Sequence, residues 1–149
     1  MTFRQKVYEQ YLQSINDKIS LLRNILNDLK ESSSNETKST AGDKHETALA
    51  MLQIEQKNTS QQLKEALDQK ILFGQIKFPV IKPEIAKGSL LKTNKGYLFL
   101  SIALGKIIVD GITIIAISPQ SPLGQKLIGL KVNEAAEING ITYVIENIF

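Results

Sequence analysis

The residues best equipped for chemistry lie together in Thr37-Lys38-Ser39-Thr40-Ala41-Gly42-Asp43-Lys44-His45-Glu46. Asp43 and Glu46 are three apart, so on a helix their carboxylates share a face. Two carboxylates at an exposed tip form part of an oxygen shell for Mg²⁺. That ion takes hard oxygen ligands and often only one or two carboxylates, the rest coming from water or a substrate phosphate. The same Asp-x-x-Glu spacing before a helical run is also a capping box, with Asp43 accepting from an amide and Glu46 reaching back. Acidic residues in a first turn complement the helix dipole as well. The two readings differ in direction, since a cap faces its own backbone and a ligand faces outward. Both stay open at this point. Other chemistries are excluded by composition. The chain has no Cys and a single His, which removes disulfides, thiolate zinc sites, iron–sulfur clusters, a cysteine nucleophile and any multi-histidine site. A Ser-His-Asp triad would have to use His45, and no acid or nucleophile is placed with it. His45, Lys38 and Lys44 read as solvated side chains. Tyr97, Phe99 and Tyr143 read as core or cross-strand packing.

The elements that must position these residues fall into two halves. Before residue 73 there is no Pro, and the only Gly is Gly42. All four prolines and seven glycines lie in 79–149, so helix breakers change density near Phe73-Gly74. Tyr8, Leu12, Ile15, Ile19, Leu22, Leu26 and Leu29 alternate spacings of four and three, the a/d seam of a coiled coil. The polar run Glu31-Ser32-Ser33-Ser34-Asn35 interrupts it. A weaker seam follows at Leu49, Leu52, Gln56, Thr59, Leu63, Ala66 and Lys70. Pairing Leu29 with Leu49, Leu26 with Leu52, and so on down to Tyr8 with Lys70 keeps the sum of positions constant. That is the requirement of an antiparallel hairpin, folded near Ser39. Some 30 residues per arm at about 1.5 Å each make a rod of roughly 45 Å, a shape suited to reaching into something. Its thin and partly polar seam buries little area, so it needs an anchor or a partner.

The second half reads as short strands with one helix. Ser89–Thr93 and Tyr97–Ser101 flank Asn94-Lys95-Gly96; Lys106–Val109 and Ile112–Ile117 flank Asp110-Gly111, a strong hairpin turn signal. Ser121 as N-cap, Pro122 at the first helical position and Gly129 past the end predict a short helix. A last strand, Ile141–Ile145, follows Asn139-Gly140. The expected fold class is α+β: a coiled-coil hairpin over 1–73 with an acidic tip, and a small antiparallel sheet with one helix over 74–149. The first residues lack the apolar stretch of a signal peptide. Ile107–Ile117 is about half the roughly 20 residues of a membrane span. The expectation is a cytoplasmic protein with no membrane partner. A net charge of +3 is too mild to argue for independent DNA binding.

This arrangement resembles the bacterial Gre transcript-cleavage factors. The residues that carry the resemblance are Gly42-Asp43-x-x-Glu46 at the tip, the stretch Ile117-Ser118-Pro119-Gln120-Ser121-Pro122-Leu123-Gly124-Gln125-Lys126-Leu127-Ile128-Gly129-Leu130-Lys131-Val132-Asn133-Glu134, and the closing Gly140-Ile141-Thr142-Tyr143-Val144-Ile145. With the coiled coil, the resemblance covers nearly the whole chain in the family's order. The resemblance implies a transcription elongation factor that is not itself an enzyme. It implies a coiled coil inserted into the secondary channel of RNA polymerase. Asp43 and Glu46 would there help hold the second Mg²⁺ of the polymerase active site and position the attacking water. The backtracked RNA 3′ end would then be cleaved by the polymerase's own nuclease activity. It also implies an FKBP-like C-terminal domain docked on the channel rim through Gln120, Ser121 and Pro122.

Two departures bear on these roles. The tip continues Glu46-Thr47-Ala48-Leu49-Ala50, where the family has a second acid and a Tyr. Gln120 stands where the family's docking segment has Asp. A Gre-like protein that occupies the channel without promoting cleavage, as an inhibitor or regulator, is therefore a second reading. A coiled-coil adaptor in which Asp43 and Glu46 only cap is a third. An FKBP-type prolyl isomerase is a fourth, opposed by the absence of Trp and by 6% aromatics, too few for an aromatic-lined proline pocket.

Overall fold

The computed structural model describes residues 1–37, 42–76 and 82–149, with the side chains of 36, 37 and 42–45 outside that description. The elements run α1 (Phe3–Thr37), α2 (Gly42–Gly74), β1 (Leu90–Thr93), β2 (Gly96–Leu100), β3 (Gly105–Val109), β4 (Ile112–Ile117), α3 (Pro122–Leu127), β5 (Ala135–Ile138) and β6 (Ile141–Ile148). The fold class is α+β. The chain divides into two compact units, Ser14–Lys70 and Met1–Gln13 with Ile71–Phe149.

Within Ser14–Lys70 the two helices bury the seam that the heptads predict. Ile15, Ile19 and Leu22 of α1 and Thr59 and Ala66 of α2 are buried. Leu26, Leu29, Leu49, Leu52, Gln56 and Leu63 are half-buried. A 3.5-residue repeat keeps one stripe facing a partner helix, which is why these positions and not their neighbours lose solvent. Gln56 tolerates its seam position because its Nε2 donates to the Leu29 carbonyl at 3.1 Å. Lys70 is exposed. The expected partner of Tyr8 is thus replaced: Tyr8 stacks on Phe73, centroids 4.6 Å apart and 15° between planes. A ring on a ring buries apolar surface, whereas a lysine there would bury a charge.

The other unit is a six-stranded sheet in the order β3-β4-β2-β1-β6-β5. The expected hairpins form. Asp110 (φ 52°) with Gly111 (φ 77°) and Asn139 (φ 51°) with Gly140 (φ 78°) take the paired left-handed conformations that match strand twist in two-residue loops. The sheet is not wholly antiparallel. β2 and β4 pair in parallel, Tyr97 with Ile114 through Leu100 with Ile117. β3 sits at the edge and turns back, so β4 inserts between β3 and β2 in the direction of β2. Strand β5 has no counterpart in the sequence reading, because Ala135-Ala136-Glu137-Ile138 is poor in β-formers. It forms by pairing with β6 across the Asn139-Gly140 turn.

Both faces of the sheet are covered, not one. On one face Leu91, Leu98, Leu100 and Ile145 pack with Ile85, Ala136 and Leu127 of α3. On the other, Phe99 meets Tyr11 at 5.9 Å and Phe73 at 6.1 Å between ring centroids. Val7, Tyr11 and Phe73 are fully buried there. The first turns of α1 therefore carry a second stripe, Phe3, Val7 and Tyr11, beside the seam stripe. The unbroken apolar runs Leu98-Phe99-Leu100 and Ile114-Ile115-Ala116-Ile117 are the sequence mark of strands buried on both faces.

Candidate functional site

Two places hold the residues singled out above, one in each unit. The first is the start of α2. Gly42 opens this helix, so Asp43 and Glu46 belong to its first turns. Glu46 is exposed, as a ligand for an ion held by a partner must be. The side chains of Asp43, Lys44 and His45, and residue Lys38 as a whole, lie outside the described residues. Among the described residues, no group of three or more His, Cys, Asp or Glu is arranged to hold a metal ion.

The second place is the loop from β4 into α3. The predicted cap is there: Ser121 is the N-cap, its Oγ accepts from the Gly124 N–H at 3.0 Å, and Pro122 is the first helical residue. The loop is closed by further bonds. The Ser118 carbonyl accepts from the Ser121 N–H at 3.1 Å and from the Ser121 Oγ–H at 2.6 Å. Ser118 Oγ accepts the Gln120 N–H at 3.1 Å and donates to Gln120 Oε1 at 2.5 Å. Gln125 Nε2 donates to the Gln120 carbonyl at 3.0 Å. Pro119 is buried, Ser121 is half-buried, and Gln120 and Pro122 are exposed. The loop thus turns Gln120 and Pro122 to solvent on a frame of internal hydrogen bonds.

Gly124 makes that frame possible. A Cβ on it would lie 2.1 Å from the Ser118 carbonyl oxygen and 2.9 Å from Ser121 Oγ. Its φ lies outside the left-handed region, so close approach and not backbone freedom requires glycine. The sequence places Ser118, Gly124 and Gln125 in the stretch that carries the resemblance but gives none of them a role. The available signal was a glycine inside a six-residue helix, which costs about 1 kcal/mol against alanine and so points to packing.

No family model matches the chain, and neither does any curated protein. Among solved structures, it is similar to that of the transcription factor Gfh1, at 16% identity, over 95% of this chain and 92% of that chain, with a TM-score of 0.34. No helix among the described residues is long and apolar enough to cross a membrane.

Proposed function

We propose that this chain is a Gre-like transcription factor that acts on RNA polymerase from within its secondary channel. The hairpin, 1–73, enters the channel, and the β domain, 74–149, docks on the rim through Gln120, Ser121 and Pro122. One observation carries the reading: a helical hairpin with acidic Asp43 and Glu46 at the start of its second arm, Glu46 open to solvent, joined to a β unit whose hydrogen-bonded Gln120-Ser121-Pro122 segment turns Gln120 and Pro122 to solvent. Within the polymerase, Asp43 and Glu46 would hold a shared Mg²⁺ with the polymerase's own ligands. When bound, that ion supplies stabilisation of the charge on the attacking and leaving oxygens. Glu46 and Asp43 would contribute two negative charges toward holding that ion and would accept hydrogen bonds from the attacking water, orienting it toward the RNA 3′ segment. The chain itself breaks no bond; it completes the nuclease of its partner, in the cytoplasm, without contacting DNA on its own.

A second reading, occupation of the channel without cleavage, is favoured by one observation. The position of the family's second tip acid is Leu49, which is half-buried in the helical seam and offers no ligand. The deciding experiment is RNA cleavage in a backtracked complex, with the wild-type chain and with Asp43→Asn/Glu46→Gln. Asn caps a helix about as well as Asp, and Gln serves in a capping box, while a neutral amide is a much poorer Mg²⁺ ligand. Stimulated cleavage should fall strongly in the double variant with helix content and polymerase binding unchanged. Unchanged cleavage ends the metal role. A wild-type chain that stimulates nothing and displaces a cleavage factor establishes the second reading.

A further inference from the structure

We infer that Gln120 presents a hydrogen-bond donor to the partner, so the group it meets on the polymerase rim is an acceptor oxygen, a main-chain carbonyl or a carboxylate, and not a cationic side chain. This rests on the rim-docking reading above. The local chemistry fixes the direction of the amide. Ser118 Oγ already accepts the Gln120 main-chain N–H at 3.1 Å. Its own hydrogen donates to the atom 2.5 Å away, the side-chain carbonyl oxygen Oε1, a separation within the O–H···O range and shorter than an N–H···O bond. An amide turned the other way would bring a second donor to the same hydroxyl. The main-chain carbonyl of Gln120 is also used, by Gln125 Nε2 at 3.0 Å. Both acceptors of Gln120 are thus engaged within the loop. What the exposed side chain turns outward is its Nε2, with two N–H donors. An aspartate at the same place would present only acceptors and would select a cation. The two side chains specify opposite partners, because an unpaired donor or acceptor pressed into an interface loses its water without replacement.

Gln120→Glu isolates this. It keeps the length and the oxygen that receives Ser118 Oγ–H, and it exchanges only the outward NH₂ for an oxygen. Affinity for core RNA polymerase from the same organism is measured by fluorescence anisotropy of the labelled full chain, at two salt concentrations. Gln120→Glu should weaken binding at least tenfold, and Gln120→Met, which removes the donor without adding charge, should weaken it several-fold. Ser118→Ala, which frees the amide to rotate, should fall between wild type and Gln120→Met. Circular dichroism verifies that each variant folds, and Gln120→Met decides alone if Gln120→Glu does not. Equal or tighter binding by Gln120→Glu, growing as salt is lowered, identifies a cation on the partner and overturns the inference while leaving the docking reading intact. Wild-type affinity in Gln120→Met overturns it as well. A wild-type chain that does not bind polymerase overturns the proposed function and this inference together.

Discussion

Gly124→Ala sets two physical effects against each other. Gly124 is the third residue of α3, and alanine is favoured over glycine in a helix by about 1 kcal/mol. Propensity alone predicts a more stable protein. Space predicts the opposite. The new Cβ would stand 2.1 Å from the Ser118 carbonyl oxygen and 3.0 Å from Pro119 Cα, where ordinary contact begins at 3.4 Å. The carbonyl must retreat by more than an ångström, and it is main chain, held by both the N–H and the Oγ–H of Ser121. Retreat loosens those two bonds and the Gly124 N–H to Ser121 Oγ cap. Three hydrogen bonds at about 1 kcal/mol each, with about 1–3 kcal/mol for overpacking and about 1 kcal/mol returned by propensity, leave a net loss of about 3–5 kcal/mol. Urea unfolding followed by tyrosine fluorescence reads this out. Tyr8, Tyr11, Tyr97 and Tyr143 are the only tyrosines and there is no Trp, and all four lie in the unit that contains Gly124. With a slope of about 2 kcal/mol/M, the midpoint should fall by about 1.5–2.5 M. An unchanged or raised midpoint would show that helix propensity governs this position and would remove the rigid frame assigned to Gln120.

Tyr11→Phe should cost about 1–2 kcal/mol, because Tyr11 Oη donates to the Gly105 carbonyl at 2.7 Å and the Ile114 carbonyl at 3.2 Å from a buried position. Burial raises the Tyr11 phenol above its ordinary value of 10.0, so above about pH 10 the unfolded chain releases this proton while the folded one keeps it, and stability falls as pH rises. Urea midpoints between pH 8 and 11 should show a smaller alkaline loss in Tyr11→Phe than in wild type, and equal losses would exclude Tyr11 as the source. Val7→Ala should cost about 1–2 kcal/mol by calorimetry, since Val7 is fully buried although it lies off the coiled-coil seam; a neutral result would mean that the second stripe of α1 does not anchor. Lys6→Ala should change stability by less than about 1 kcal/mol, because its 3.0 Å ion pair with Asp110 joins two side chains 45% and 54% exposed; a larger loss would contradict solvent screening of that pair.

How much could be read from residues in order depended on the range of each signal. The seam of α1 and α2, the Asp110-Gly111 and Asn139-Gly140 turns and the Ser121-Pro122 helix start were all legible, because each is settled within about one helical turn or one hairpin loop. The acidic pair stood out by its spacing, and its expected place at the hairpin tip followed from the heptads, while the side chain of Asp43 lies outside the described residues. The spacing left both capping and metal binding open, since the same two carboxylates serve either role.

Tertiary structure alone decided the rest. The parallel neighbours β2 and β4 come from where β3 turns back, which no window around either strand encodes. β5 owes its existence to β6 and not to its own residues, because cross-strand pairing can supply what weak propensity lacks. The stripe of Phe3, Val7 and Tyr11 became a second cover for the sheet only once Phe99 was brought against Tyr11. At the candidate docking segment, the residue types Gln120, Ser121 and Pro122 stand in the sequence, but the direction of the Gln120 amide does not. It is set by Ser118 Oγ across a loop that closes only because Gly124 has no side chain. Propensities act between neighbours in the chain, whereas close approach and hydrogen-bond polarity arise between atoms that the fold brings together.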